Sequence, residues 1–383
     1  MTPPKPSLDL LRAITDEHVL RAVMEHGQLT RVQIAARTGI SKPTVYDSVG
    51  RLTASGVLAD TGERTTGRGR IGSYYSLAED CGAALVASIS ADGVQGEAVD
   101  AFGHVLARAH VELDRAPGPD RTARALADVA GRLRAEAAGG LRLAVISAAD
   151  PVDRETGRLV RLPDSPFLVG DLDPVAVLGP LVAGSVLVDN DVNWAARAEL
   201  AAGCAANVDD FVYLYLGEGL GCAVVSDGQV RRGRHGLAGE ISHLYTAGPD
   251  GAAVPFVDVF AALDLRRPGS TAIDVEKLRA AISGTDQAAN RTRSAVARAV
   301  CGVLVAAITL VDPQLAVLGG GWGTEPALIA EIDDHLARAP RRLPIAAAQV
   351  AAPELAGARA RAVDELRAAI IAGPRSAAAD AAS

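Results

Sequence analysis

The spacing of apolar residues changes along the chain, and the changes mark its parts. Leu10, Leu11, Ile14, Val19, Leu20 and Val23 fall on one side of a helix that ends by Gly27. Thr30 caps a second helix with Ile34 and Ala35 inward, and Gly39-Ile40 turns the chain. Ser41 caps a third, with Pro43 in its first turn, where a missing N–H does no harm. Val45, Val49 and Leu52 share the inner face of that helix, which leaves Lys42, Thr44, Tyr46 and Asp47 outside. Residues 57–59 and 73–77 read as strands, and the loop between them holds Arg64, Arg68 and Arg70 among glycines. Three helices and a basic wing predict a winged helix-turn-helix over residues 8–78, with the third helix entering a DNA groove. The competing reading is a small three-helix interaction module.

From residue 79 the pattern changes to strands alternating with helices, the signature of an α/β domain. Strands are expected at 83–90, 94–101, 105–113, 141–146, 185–188, 211–216 and 315–318. Helices are expected at 122–138, 194–202, 292–310, 328–337 and 359–371. The division expected is one lobe over 79–185 and another over 186–373. Residues 1–7 read as a flexible arm and 374–383, rich in Ala and Ser, as a disordered tail. The apolar run 299–311 is too short to span a bilayer and reads as a buried helix.

Charge sharpens this division. The chain of 383 residues carries a net charge of −8, which argues against general affinity for nucleic acid. Yet residues 1–78 hold ten basic and seven acidic side chains, a net of +3, so the remainder carries −11. A basic head on an acidic body suggests one DNA-binding module on a separate effector domain. The four cysteines, Cys81, Cys204, Cys222 and Cys301, form no C-x-x-C pair and read as buried thiols in a reducing cytoplasm. The first six residues precede no apolar core, so no signal peptide is expected there.

Candidate chemistry gathers in the second half. The apolar run 211–216 enters Leu216-Gly217-Glu218-Gly219-Leu220-Gly221, a turn that brings backbone N–H groups near a ligand. Asp227-Gly228 reads as a hairpin turn, and Gly239-Glu240-Ile241-Ser242-His243 sets a carboxylate and an imidazole within one turn of each other. Polar residues Asp189-Asn190-Asp191-Val192-Asn193 follow a strand, where open α/β sheets bind ligands.

These segments resemble the ROK family of sugar kinases and sugar-responsive repressors, whose matching stretch reads roughly L-G-T-G-I-G, D-G, then R-G-x-x-G-x-A-G-E-I-G-H. Arg232-Gly233 through His243, with Asn190, Asp191, Asn193 and Glu199 upstream, carries the likeness. Residues 30–45 and Gly67-Arg68-Gly69-Arg70 extend it to the winged helix of the family's repressors. The resemblance implies an N-terminal winged helix-turn-helix followed by a two-lobed actin-like (ribonuclease H-like ATPase) α/β fold. It implies ligand contacts at Asp164, Asn190, Asp191, Glu240, His243 and Asp258, with Asp191 at the position of the kinase base. Candidate DNA contacts are Gln33, Ser41, Lys42, Pro43, Thr44, Tyr46, Arg51, Arg68 and Arg70; residue type alone does not separate base from phosphate contacts.

Departures from the family pattern bear on activity. Its D-x-G-x-T phosphate loop aligns with Ser88, Ser90 and Asp92, and the Thr of its second phosphate loop is Glu218. An acid facing a phosphate repels it, so phosphoryl transfer is not expected. The zinc cysteines that follow the family's His are absent from 245–256, so neither metal nor cofactor is expected. The function expected is that of a repressor of carbohydrate-related genes: a homodimer or homotetramer on an operator in double-stranded DNA, answering to a sugar or related metabolite, with no membrane partner. The rivals are a sugar kinase with a DNA-binding head and a regulator that has lost sugar sensing.

Overall fold

The computed structural model describes residues 8–66, 71–114, 118–162, 169–339 and 341–373. Arg68, Arg70, Asp164, the expected arm at 1–7 and the expected tail at 374–383 lie outside the described residues.

The N-terminal part is α1 (Leu8–His26), β1 (Leu29–Thr30), α2 (Arg31–Thr38), α3 (Lys42–Ala54), β2 (Leu58–Arg64) and β3 (Ser73–Leu77). Thr30 Oγ1 accepts the Gln33 N–H, and the Gln33 side chain accepts the Thr30 N–H, so the reciprocal cap starts α2. Gly39 stops it at φ 71°, a left-handed conformation that glycine adopts without strain. Ser41 caps α3, accepting from Thr44 N–H. Val19, Val23, Ile34, Val45 and Val49 are completely buried between the three helices. Asp16 of α1 accepts Ser48 Oγ at 2.5 Å and pairs with Arg51 at 2.6 Å, tying α1 to α3. The sheet runs β1-β3-β2, with β2 longer than its sequence pattern suggested.

Two five-stranded sheets follow, and they repeat one topology. The first contains β4 (Ala83–Ser90), β5 (Gly93–Val99), β6 (Val105–Glu112), β7 (Leu141–Ala148) and β8 (Val186–Asn190), in the order β6-β5-β4-β7-β8, with α4 (Pro119–Glu136) and α5 (Pro174–Leu178) inserted. After α6 (Asp191–Ala202) come β9 (Phe211–Leu216), β10 (Leu220–Ser226) and β11 (Gln229–Val230). A small hairpin, β12 (Tyr245–Ala247) and β13 (Ala253–Pro255), leads into α7 (Phe256–Ala262), α8 (Val275–Ser283), α9 (Gln287–Val311), β14 (Leu315–Gly319), α10 (Pro326–Leu336), β15 (Ile345–Ala347) and α11 (Pro353–Ile371). The second sheet is ordered β11-β10-β9-β14-β15. In both sheets three antiparallel strands are extended by two parallel ones.

Two placements differ from the sequence expectation. Helix α11, assigned with the second lobe, packs on β4 and β7 of the first sheet and on α6. Its Leu355, Ala358, Ala362, Leu366 and Ile370 share one core with Val19, Val23 and Leu52 of the head. Periodicity marks a buried face but not which sheet will cover it. Helix α9 begins earlier than its apolar run and reaches 25 residues, long and apolar enough by length and composition to cross a membrane. In the fold it is a core helix, with Val296, Ala299, Val300 and Leu304 completely buried.

Glu199 of α6 is completely buried and ties two distant loops. Its Oε1 accepts Gln349 N–H at 2.7 Å and Val350 N–H at 2.8 Å; its Oε2 accepts Cys204 N–H at 2.9 Å. Substituting Glu199 by Ala or Gln leaves these donors unpaired or facing an amide N–H. Either change is expected to cost about 3 kcal/mol or more of unfolding free energy, read from urea denaturation; a loss under about 1 kcal/mol would disprove this role.

Candidate functional site

The two lobes meet over a cavity of about 310 Å³. Its lining comes from the β4–β5 turn, the β8–α6 junction, the β9–β10 turn and the segment 236–243. That segment threads close to the sheet. Gly239 has φ 96°, and a Cβ there would sit 1.7 Å from the Cys222 carbonyl, so the Gly-Glu pair of the motif fits with glycine alone.

Of the run 189–193, Asp191 has the strongest claim on a ligand. Asp189 is buried and engaged: it accepts Asn193 Nδ2 and Arg197, both at 2.8 Å, and is ion-paired with Arg232 at 3.1 Å. Asn190 lines the cavity, but its side chain is engaged with backbone. Its Oδ1 accepts Val192 N–H at 3.0 Å while its Nδ2 donates to the carbonyls of Ala148 and Asp150, both at 3.3 Å. Asp191, the first residue of α6, accepts Val192 N–H at 2.7 Å and faces the cavity. Burial, with Glu354, Glu240 and Asp150 nearby, pushes its carboxyl up to about 7.

Glu240 also lines the cavity. It is open to cleft water, yet the protein mass around it and then Asp150 push its carboxyl up to about 7. Asp150 is held at about 6 by burial, against the pull of N–H bonds from Val169 at 3.1 Å and Gly170 at 3.2 Å. The sequence alone did not reveal that Asp150 adds a third acid to this group; nor did it mark Tyr215 and Ser242, which line the cavity from β9 and the motif segment. No pattern in the chain marks those two, because a strand residue and a loop serine reach the cavity only through the fold.

His243 lines the cavity and is exposed there. Asp258 does not: it lies in the first turn of α7, outside the lining, paired with Arg266 at 2.9 Å. Conserving an acid at that position did not place it at the site, because Arg266 offers it a nearer partner. At the phosphate loops, Ser88 is buried in β4, whereas Ser90, Asp92 and Glu218 line the cavity. Glu218 pairs with Arg267 at 2.6 Å, so its repulsion for an anion is smaller than residue type suggests.

In the head, Lys42, Pro43, Thr44 and Tyr46 stand exposed at the start of α3. Ser41 is exposed as well, with its hydroxyl 2.7 Å from that of Thr44. Gln33 and Arg51 depart from expectation. The Gln33 side chain closes the α2 cap and the Arg51 guanidinium is held by Asp16, so both are committed to the fold.

A winged helix-turn-helix on a two-lobed, actin-like α/β domain is thus the class of protein these elements define. Residues 89–255 match the ROK family, and residues 12–59 match a winged helix-turn-helix DNA-binding domain. It is 21% identical over 237 residues to the xylose repressor of Bacillus subtilis, covering 61% of each chain. To the β-glucoside kinase of Listeria monocytogenes it is 30% identical over 162 residues, 39% of this chain and 55% of that one. The chain therefore spans between half and two thirds of the length of these relatives. Among solved structures, a ROK family transcriptional regulator, a homologue of the E. coli MLC protein, aligns with TM-score 0.66 and 18% identity over 94% of this chain and 99% of that one. A ROK hexokinase from Thermus thermophilus aligns with TM-score 0.58 and 26% identity over 75% and 100%.

The raised carboxyls make stability fall with pH. Below about pH 4 Asp191 is protonated in both folded and unfolded chains; between there and about pH 7 the unfolded chain ionises it first, so unfolding gains. Asp191→Asn is expected to stabilise the protein at pH 8 by roughly 1–2 kcal/mol, allowing for cleft water, and to leave it unchanged at pH 4. Melting curves at both pH values test this; an equal effect at the two would refute it.

Proposed function

We propose that this protein is a DNA-binding transcriptional regulator, acting as a repressor of carbohydrate-related genes, whose ROK domain binds a sugar or related polyhydroxy metabolite without phosphorylating it. The cleft carries this reading. It presents Asp191, Glu240 and His243, groups that hydrogen-bond hydroxyls, while Ser90, Asp92 and the Glu218–Arg267 pair occupy the two phosphate-loop positions. The head supports the DNA half, since exposed Lys42, Thr44 and Tyr46 open α3. The likeness to xylose repressors supports both halves. The protein works in the cytoplasm as a homodimer or homotetramer, so that two heads meet the two halves of a palindromic operator.

Ligand control requires different affinity for two arrangements of the lobes. Helix α11 is placed to couple them: its Glu354 acts on Asp191, and Arg367 near its other end donates to the Met24 carbonyl of α1 at 3.3 Å.

A kinase reading is supported by the 30% identity to a β-glucoside kinase over 162 residues and by the likeness to a ROK hexokinase. The experiment that separates the two pairs DNA binding to the chain's own promoter region with a coupled ATPase assay over a sugar panel. A regulator binds the DNA, loses Lys42→Ala affinity by about three- to tenfold, shows no sugar-dependent ATP turnover, and melts higher with one sugar unless Asp191→Ala removes the site. Sugar-dependent turnover would overturn the non-enzyme reading, and absence of DNA binding at low salt would overturn the regulatory one.

A further inference from the structure

Arg31 stands at the first position of α2, outside the helix expected to read DNA, and was not among the residues expected to contact it. Its guanidinium carbon lies 4.3 Å from the ring centroid of Tyr46 on α3 and 4.8 Å from that of Tyr75 on β3. A cation lying over two rings is attracted by both π faces. The Arg31 Nε is buried and has no hydrogen-bond partner, so at that atom the two rings take the place of a polar partner. The two rings differ in role. Tyr75 is 6% exposed and packs in the core of the head, where it anchors the stack. Tyr46 is 60% exposed, although one side is pinned.

Tyr46 is the fifth residue of α3, whose first turns are the part of such a helix that meets base edges. A ring held in place before binding loses little entropy when it docks, unlike the long side chain of Lys42. What it offers outward is an apolar edge ending in a hydroxyl that donates. In the major groove the base presenting a methyl group beside an acceptor oxygen is thymine.

We infer that Tyr46 reads a thymine of the operator, and that Arg31, lying over Tyr46 and Tyr75, is the positioning residue that fixes the reading ring. The inference rests on the DNA-binding reading above and adds the base and the residues that choose it. A phosphate contact by Tyr46 would lower affinity evenly across sequences; a base contact changes the preference at one position.

The test starts by selecting operators with the full-length protein from a randomised DNA pool, then measuring affinity for single-base variants, including deoxyuridine at each thymine. Deoxyuridine lacks only the methyl group. For the wild type, one thymine in each half-site is expected to weaken binding about three- to tenfold when replaced by deoxyuridine. Tyr46→Ala is expected to lose that discrimination while retaining binding, and Tyr46→Phe to keep the methyl effect. Arg31→Lys keeps the charge but not the planar stack; it is expected to leave the salt dependence unchanged and to reduce the preference at the same position. Melting temperatures within a few degrees of the wild type confirm that the variants fold. A base profile unaltered in Tyr46→Ala would overturn the reading role, and one unaltered in Arg31→Lys would overturn the positioning role. A wild type that selects no DNA would instead sink the regulatory function itself, and this inference with it.

Discussion

The architecture depends on how closely α11 can approach α6. At Gly357 a Cβ would sit 2.1 Å from the Trp194 carbonyl, so the two helices touch backbone to backbone at that point. From this crossing, α11 lays one face over the first sheet and continues to the head. Trp194 completes the contact by donating its indole N–H to the Ile146 carbonyl at 3.0 Å. A single core therefore contains residues of the winged helix, the first sheet and the C-terminal helix. Each of the three buries part of its apolar surface against the others.

That dependence also sets the chemistry of the cleft. Helix α6 begins at Asp191, and α11 delivers Glu354 to the same neighbourhood. Carboxylates on three separate segments (Asp150, Asp191 and Glu240) face one another's fields with no cation among the described lining residues. The nearby arginines are committed elsewhere: Arg197 and Arg232 to Asp189, and Arg267 to Glu218. Where these carboxyls are ionised, the cavity accepts hydrogen bonds from hydroxyl donors and disfavours a phosphate.

Much of this was legible in the chain. The caps at Thr30 and Ser41, the Asp227-Gly228 turn and the order of strands and helices follow from local signals that tertiary packing left in place. The motif 239–243 could be read because its glycine meets a steric demand. What could not be read is who partners whom. Asp258 and Arg51 look like surface charges free for a ligand, yet Arg266 and Asp16 reach them from elsewhere in the fold. Arg31 looks like a solvated helix start, and only the fold brings the rings of Tyr46 and Tyr75 to its guanidinium. The destination of α11 was hidden for the same reason, since an amphipathic face carries no address.

The length of α11 has a mechanical consequence. From Gly357 to Arg367 the helix runs ten residues, about 15 Å, so each degree of tilt about Gly357 carries Arg367 by about 0.3 Å. One end lies beside the acids of the cleft, while Arg367, towards the other, holds the carbonyls of Ala101 and Met24. A rotation of about four degrees at that contact would carry Arg367 by about 1 Å beneath α1. The rod acts as a lever with its fulcrum on Trp194, and its long arm ends under the domain that carries Tyr46.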